Sequence, residues 1–350
     1  LANRKKENKK LPARWRYRYG AFRYRVPKNA LHLWDNKAEF KLGETMTEAL
    51  ATWALRMGDH DSVNTMSDAM DAYLIEHVPT LAEGTQDSYQ GSIKRLRPVF
   101  GNMTPAMVQP IDAYGYYNAT RKVRGMTTAK HDIQVLRHIL TKCVEWGTLN
   151  NNALLGNVRL PSAPPRDRLI EDWEIEECMK VTGHQPRSIN LAKLYIHFKL
   201  MTGLRRKDIL TLQLSNLQED GIHCQPSKTA KSSGKRLIIY WTDELRELIK
   251  DIKAIPPHRI GNATLFTTKH GKPYNKNAFD SLWQRFMDRA MEQTTIVDRF
   301  QERDLRAKVG SDSSSLIEAS ERLGHASTET TQRIYRRKPV GVWPLGRPKN

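Results

Sequence analysis

Cysteine is scarce: Cys143, Cys178 and Cys224 are the only three in 350 residues. They are odd in number, far apart and nowhere spaced as CxxC. That speaks against a disulfide framework or a structural zinc site and fits a reducing cell interior. Long hydrophobic runs are also missing. No stretch reaches the roughly 18 apolar residues of a membrane-spanning helix, and the basic, aromatic N-terminus lacks the apolar core of a secretory leader. A soluble, cytoplasmic protein with no membrane partner is expected. The common catalytic signatures are absent as well: no Gly-rich loop closed by Lys and Ser or Thr, no HExxH, no Gly-x-Ser-x-Gly and no compact His/Cys cluster. Chemistry driven by a bound metal or nucleotide loses ground, and neither a metal nor a cofactor is expected. Acidic residues are the last shortage: 38 Asp and Glu stand against 57 Lys and Arg, a net charge of +19. Such an excess favours a polyanionic partner, nucleic acid first.

What is there is unevenly distributed. A hydrophobic fraction of 39% is ordinary for a folded chain, and at roughly 100–200 residues per domain the length suits two or three domains. Residues 1–28 hold eleven Lys or Arg and one acidic residue, Glu7. Within them Arg14, Arg16 and Arg18 alternate with Trp15, Tyr17 and Tyr19. After Gly20-Ala21, Arg23 and Arg25 alternate with Phe22, Tyr24 and Val26. Period-two alternation on both sides of a turn predicts two strands with a cationic face opposite an aromatic one, the arginines being free for phosphates or base edges. A third short strand is expected at Glu39-Phe40-Lys41-Leu42. A helix should follow, opened by a Thr45-Met46-Thr47-Glu48 capping box, with Met46, Leu50, Trp53 and Met57 on one face.

After a polar connector at 58–64 the pattern is helical. The last helix of this region is expected to begin near Thr127 or Thr128, to carry the stripe Ile133, Leu136, Leu140, Val144 and to stop at Gly147. Lys94, Arg95, Arg97, Arg121, Lys122 and Arg124 are candidates to line a DNA groove, though each alone also reads as surface charge. Pro161, Pro164 and Pro165 mark the clearest domain boundary. Beyond it, helices are expected at 171–182, 188–202, 205–214, 242–254 and 276–293, with short strands near 222–227, 235–241 and 263–267. The expected fold class is multidomain and mainly α with α+β parts: a small N-terminal sheet-plus-helix module, a helical domain, and a mixed, mostly helical last domain.

The last domain holds basic groups in distinctive contexts. In Thr202-Gly203-Leu204-Arg205-Arg206-Lys207-Asp208, Gly203 ends one helix and Arg205 opens the next, with Asp208 one turn on and able to fold back toward Arg205. In the stretch from Ser227-Lys228-Thr229 through Ser232-Ser233-Gly234 to Leu237-Ile238-Ile239, a β-hairpin would carry Lys228 near its tip. Arg303-Asp304-Leu305-Arg306 comes next. Leu323-Gly324-His325 is followed ten residues later by Tyr335, set among Arg333, Arg336, Arg337 and Lys338. Singly, each reads equally as a solvated cation, a core histidine or a surface aromatic.

In this order they resemble the phage integrase, or tyrosine recombinase, family: Thr-Gly-Leu-Arg, a hairpin Lys, x-Asp-Leu-Arg, Leu-Gly-His, then Tyr. The resemblance is strongest over the catalytic half. It implies that Arg205 and Arg306 clamp the scissile phosphate, that Lys228 is the general acid, that His325 completes the pocket, that Asp208 supports it and that Tyr335 is the nucleophile. Arg303 stands where the family usually has His and is counted as the sixth catalytic candidate. By the same resemblance, residues 1–58 would be an arm-type DNA-binding module, 65–157 a core-binding domain, 158–168 a linker, 169–340 the catalytic domain and 341–350 a tail. The implied partners are double-stranded DNA, three further copies in a homotetramer, and DNA-bending or directionality proteins.

The residue types suit the chemistry. Guanidinium groups neutralise charge that grows on the nonbridging oxygens of an attacked phosphodiester. A tyrosine hydroxyl, which ionises near pH ~10 in water, needs cations around it to act as a nucleophile. An ammonium can protonate the departing 5′ oxygen. A 3′-phosphotyrosyl ester stores the energy of the broken bond, so no ATP is needed. The competing readings are a recombinase-like scaffold that binds DNA without cutting it, which Arg303 favours, a type IB topoisomerase, and an RNA-binding protein.

Overall fold

The computed structural model describes residues 8, 11, 12, 14–26, 31, 34–57, 63–227, 234, 236–255, 264–325, 327–339 and 344. The chain divides into two compact units, Leu1–Pro164 and Pro165–Asn350. The division falls inside the proline-rich stretch, where fixed backbone angles forbid helix continuation.

The first unit opens with an antiparallel sheet, β1 (Trp15–Arg18), β2 (Ala21–Arg25) and β3 (Glu39–Gly43). Tyr19 and Gly20 make the β1–β2 turn with φ of 55° and 71°, the left-handed pair that matches the twist of a two-residue hairpin. Register pairs Trp15 with Tyr24, and Arg16 with Arg23, which in turn faces Lys41. Alternation therefore sends Trp15 and Tyr24 inward and lines Arg16, Arg23 and Lys41 across the other face. The expected helix is α1 (Met46–Met57), and its capping box forms: the Glu48 backbone N–H donates to Thr45 Oγ1 at 3.2 Å, and the Thr45 N–H donates back to Glu48 at 3.4 Å. Its inner face differs from expectation. Ala49 and Trp53 are buried with Leu50 beside them, whereas Met46 is exposed, because the helix is rotated to bring Trp53 onto Trp15, Tyr24 and Trp34.

Helices α2 (Met66–Glu76), α3 (Glu83–Phe100), α4 (Pro110–Arg124) and α5 (Met126–Glu145) complete this unit. Ile75 of α2 packs into the aromatic cluster of the sheet. Helix α5 starts directly after Gly125, whose φ is 83°, earlier than the threonines suggested. Its buried residues include Ile133, Leu136 and Leu140, along with Val135, Ile139 and Cys143, while Val144 is only partly buried. Gly147, with φ 75°, ends it as expected.

Two arginines considered for a DNA groove are internal braces instead. Arg97 on α3 holds Asp71 on α2 through two bonds of 3.1 and 2.7 Å, and Arg95 holds the fully buried Asp132 on α5 at 2.8 and 2.5 Å. Tyr116 also donates to Asp132, at 2.9 Å. A carboxylate removed from water is tolerated only with such partners, so both guanidiniums are engaged inside the fold, Arg95 while also lining the groove between α3 and α4.

In the second unit, α7 (Pro186–Thr202) is the central helix. It follows α6 (Asp172–Lys180), and α8 (Arg206–Thr211) comes next. Ile189, Ala192, Tyr195, Ile196 and Phe198 are buried around α7. It packs against α9 (Asp243–Ala254), α10 (Lys276–Gln293) and α11 (Glu302–Asp312). A two-stranded antiparallel hairpin, β4 (Gly221–Cys224) and β5 (Leu237–Tyr240), lies between α8 and α9 in sequence. Both strands are shorter than expected; Pro226, which has no N–H to donate, stands just beyond the end of β4. The strand expected at 263–267 reduces to two isolated bridges, Thr264 to Gln213 and Thr267 to Pro273. The chain ends in α12 (Leu316–Arg322), the short α13 (Thr328–Thr330) and a π turn, Thr331–Tyr335. Among the described residues no helix is long and apolar enough to cross a membrane, and no group of three His, Cys, Asp or Glu is placed to hold a metal ion.

The bracing role of Arg97 is testable. Burial pushes the Asp71 carboxyl above its ordinary range even with Arg97 beside it. Arg97→Ala leaves that carboxylate unpaired and is expected to cost about 3–5 kcal/mol at neutral pH in denaturant unfolding. A folded pKa above the unfolded value of about 3.9 means that Asp71 takes its proton more readily in the folded chain. The deficit is therefore greatest at neutral pH and shrinks as pH falls through the folded pKa. A stable Arg97→Ala variant with weakened DNA binding would reverse the assignment.

Candidate active site

The second unit gathers four of the six expected catalytic residues around one cleft of about 800 Å³: Arg205, Arg303, Arg306 and Tyr335 line its wall. Arg205 arrives there because α7 is stopped by Gly203 in the left-handed conformation, φ 63°, and Arg205 is the N-cap of α8. A side chain at Gly203 would meet Val309 of α11 at 3.1 Å and Leu323 at 3.3 Å, so the turn packs closely against the later elements. Helix α11 puts Arg303 and Arg306 one turn apart, Arg303 exposed and Arg306 4% exposed.

Arg306 organises the centre. Its guanidinium donates to the backbone carbonyls of Gly203 and Leu323, and Nη2 reaches His325 Nε2 at 3.2 Å. Since arginine can only donate, His325 Nε2 accepts and its Nδ1–H points to Thr331 Oγ1 at 2.7 Å. His325 is thereby held in one tautomer, buried, its backbone N–H bonded to Ser320 O at 2.9 Å. Tyr335 lies over both groups: its ring centroid is 5.4 Å from the Arg306 guanidinium carbon and 4.8 Å from the His325 ring. Burial first, and then the charge of Arg205, push the Arg306 pKa down to about 10. Arg306 stays cationic at neutral pH. Two guanidiniums that repel each other across a cleft are arranged for an anion.

Lys228 lies outside the described residues. The last described residue before it, Ser227, donates its N–H to Asp208 Oδ1 at 2.9 Å. Among the described residues the anticipated Asp208–Arg205 pair does not form; Asp208, buried on α8, ties down the exit of β4 instead. The other carboxylate oxygen, Oδ2, is buried without a partner among the described residues, while Arg205 lines the cleft.

Several residues of this site carried no sequence signal. Ser311 Oγ donates to the Tyr335 carbonyl at 2.9 Å and accepts from Arg337 N at 2.8 Å. Gly310 makes room for this: a Cβ there would stand 3.0 Å from Tyr335 Cβ and 3.3 Å from its carbonyl oxygen. Beneath the cleft, Glu302 accepts from the Tyr195 hydroxyl at 2.5 Å and from Lys199, all three buried. Burial pushes the Lys199 pKa down. Each is a contact between residues roughly 24 to 107 apart in sequence, which no local pattern encodes.

The other expected contacts lie in the first unit. Arg14, Arg16, Arg18 and Arg25 are exposed and Arg23 is half-buried. Arg16, Arg23 and Lys41 stand directly opposite one another, with Lys41 paired to Glu44 at 2.8 Å, which leaves the like charges of Arg16 and Arg23 facing each other. Lys94, Arg121, Lys122 and Arg124 are exposed, with Lys94 and Arg124 lining a groove of about 660 Å³ between α3 and α4.

Compared with known proteins, residues 168–340 match the model of the phage integrase family. No curated relative matches the chain. Among solved structures, a lambda integrase tetramer bound to a Holliday junction superposes with a TM-score of 0.65 at 18% identity, covering 99% of this chain and all of that one. A lambda integrase dimer bound to a COC′ core site gives 0.63 at 19% identity, again over 99% and 100%. The Tn1549 transposon integrase (residues 82–397, Y379F) in complex with transposon right end DNA gives 0.62 at 15% identity over 77% of this chain and 94% of that one. The fold is that of these multidomain integrases.

Sulfate tests the anion clamp. An ion seated between Arg205 and Arg306 stabilises the folded chain by about 1.4 kcal/mol at ten times its dissociation constant. Arg205→Ala should lose this increment in thermal unfolding while keeping the general salting effect of sulfate. Equal gains in both proteins would count against a clamp.

Proposed function

Residues 168–340 of this chain belong to the phage integrase family, and from that premise we propose that the protein is a site-specific DNA recombinase that cuts and rejoins double-stranded DNA through Tyr335. The observation that carries this reading is the convergence of Tyr335 with Arg306 and His325 at a cleft that Arg205 also lines. In the proposed reaction Arg205 and Arg306 hold the nonbridging oxygens of the scissile phosphate, where negative charge builds during attack. The Tyr335 hydroxyl gives up its proton to water in the open cleft and its oxygen bonds to phosphorus, the bond to the 5′ oxygen breaks, and Lys228 supplies the proton that makes that oxygen a hydroxyl. The product is a 3′-phosphotyrosyl ester, and attack by a 5′ hydroxyl of a second duplex reverses the step with new partners.

His325, already donating from Nδ1 to Thr331 and accepting from Arg306, serves to hold the clamp in place. Arg303 adds a cation where the family carries His. Residues 1–58 act as an arm-type DNA-binding module, 65–157 as a core-binding domain, 158–168 as linker, 169–340 as catalytic domain and 341–350 as tail. The cationic row of the first sheet supports the first of these assignments. The solved lambda integrase tetramer on a Holliday junction supports four copies acting on two duplexes. The work is done in the cell interior, integrating or excising a mobile element such as a prophage, with DNA-bending or directionality proteins as accessory partners.

A second reading, a weakened recombinase-like protein that binds DNA without cutting, draws on Arg303, which has no hydrogen-bond or ion-pair partner among the described residues. Denaturing gels separate the two. Incubated with nicked duplexes taken from DNA flanking its own gene, the native chain yields a covalent adduct and Tyr335→Phe yields none while binding equally well in native gels. Gly310→Ala, which crowds Tyr335, is expected to slow adduct formation about tenfold or more with binding retained. Binding by every variant with an adduct from none would favour the second reading.

A further inference from the structure

Asp304 lies between the two proposed phosphate-cleft arginines of α11 but does not itself line the cleft, though its partners Arg166 and Arg337 do. It is completely buried and accepts from three sources. Arg166 Nε reaches both its oxygens at 3.0 and 2.9 Å, Arg337 Nη1 reaches one at 2.8 Å, and the Gln301 N–H caps the other at 2.8 Å. The two guanidiniums come from opposite ends of the unit. Arg166 belongs to the strap that begins this unit, and Arg337 stands two residues beyond Tyr335. Arg337 is itself fixed to the strap, since Nη1 also donates to Arg168 O at 2.6 Å. Arg168 in turn is held by Glu174 and donates to Asp298 O at 3.0 Å. On the other side, the Arg337 N–H donates to the Ser311 hydroxyl that donates to the Tyr335 carbonyl.

We propose that Asp304 is a positioning residue for the nucleophile: it fastens the Tyr335 segment to the strap 166–168, so that the reach of Tyr335 depends on where the strap lies. The physical basis is the cost of a buried charge. A carboxylate with no water must keep its donors, and here the donors are the strap and the nucleophile segment. Neither can move without leaving Asp304 under-compensated or dragging the other. If the strap shifts when DNA is engaged, Arg337 loses a carbonyl and shares its carboxylate differently, and the π turn bearing Tyr335 is released or drawn in. The proposal rests on Tyr335 being the nucleophile, but its structural half does not.

The variant that tests it is Arg166→Ala, because Arg166 has no bond to the Tyr335 segment except through Asp304. Two measurements are made on the full chain: amide hydrogen exchange resolved over 331–337, and the single-turnover cleavage rate of a nicked duplex at saturating protein. Exchange in 331–337 is expected to rise several-fold while α7 and α10 stay protected, and the cleavage rate to fall about tenfold. Arg337→Ala should reproduce both effects, and Arg166→Lys should restore the rate in part by keeping a cation on Asp304. Unchanged exchange in 331–337 for Arg166→Ala overturns the proposal, even if cleavage falls, since Arg166 would then be acting on DNA alone. Exchange raised throughout the unit also overturns it, as a general fold effect. Should the native chain form no adduct at all, the recombinase reading fails while the exchange result still decides the role of Asp304.

Discussion

One buried guanidinium holds the site together. Arg306 is withdrawn from water on α11, and a charged group so placed must find hydrogen-bond acceptors wherever it sits. It takes them from two separated parts of the chain: the carbonyl of Gly203 just past the end of α7, and, just past α12, the carbonyl of Leu323 and the ring of His325. The turn carrying Arg205, the histidine and the helix of the paired arginines are thus oriented by the needs of one side chain. The close contacts of Gly203 with Val309 and Leu323 leave that arrangement little slack.

The arginines of this chain divide by whether the protein itself satisfies them. Arg95, Arg97, Arg166, Arg168 and Arg337 are bonded to buried or largely buried carboxylates and serve as internal fasteners. Arg205 and Arg303 line the cleft without a carboxylate partner among the described residues, and Arg306 bonds carbonyls and a ring, with no carboxylate in direct contact among the described residues. A net charge of +19 says nothing about this division. Cations without a direct carboxylate partner line the cleft, beside arginines whose countercharge is present in the fold.

Tyr335 occupies the other end of the stability scale from Arg306. It sits on a short π turn near the end of the described chain, half-buried, fixed by a serine hydroxyl, by the space left at Gly310 and by the bonds of Arg337. A π turn spaces its hydrogen bonds less favourably than an α-helix and often marks a functional position. Arg306 is therefore deeply packed, whereas the Tyr335 segment is held by a few specific bonds that could change without rebuilding the pocket.

Much of the local structure was legible in the sequence alone. The alternation of Arg with aromatics over 14–26 became a real hairpin, and the Thr45–Glu48 capping box formed. Gly203 and Gly147 ended their helices, because periodicity, caps and left-handed glycines are local properties of the chain. The order of Arg205, Arg303, Arg306, His325 and Tyr335 was likewise legible from motif and spacing. Only the tertiary structure decided which charges are used up. Arg95 and Arg97 look like surface cations until Asp132 and Asp71 are brought against them, and Asp208 looks like a partner for Arg205 but bonds the Ser227 N–H beyond β4. Asp304 looks like a motif filler until Arg166 and Arg337 close on it across 138 and 33 residues. A side chain's partner is set by distance in space, and over such separations the sequence carries no record of it.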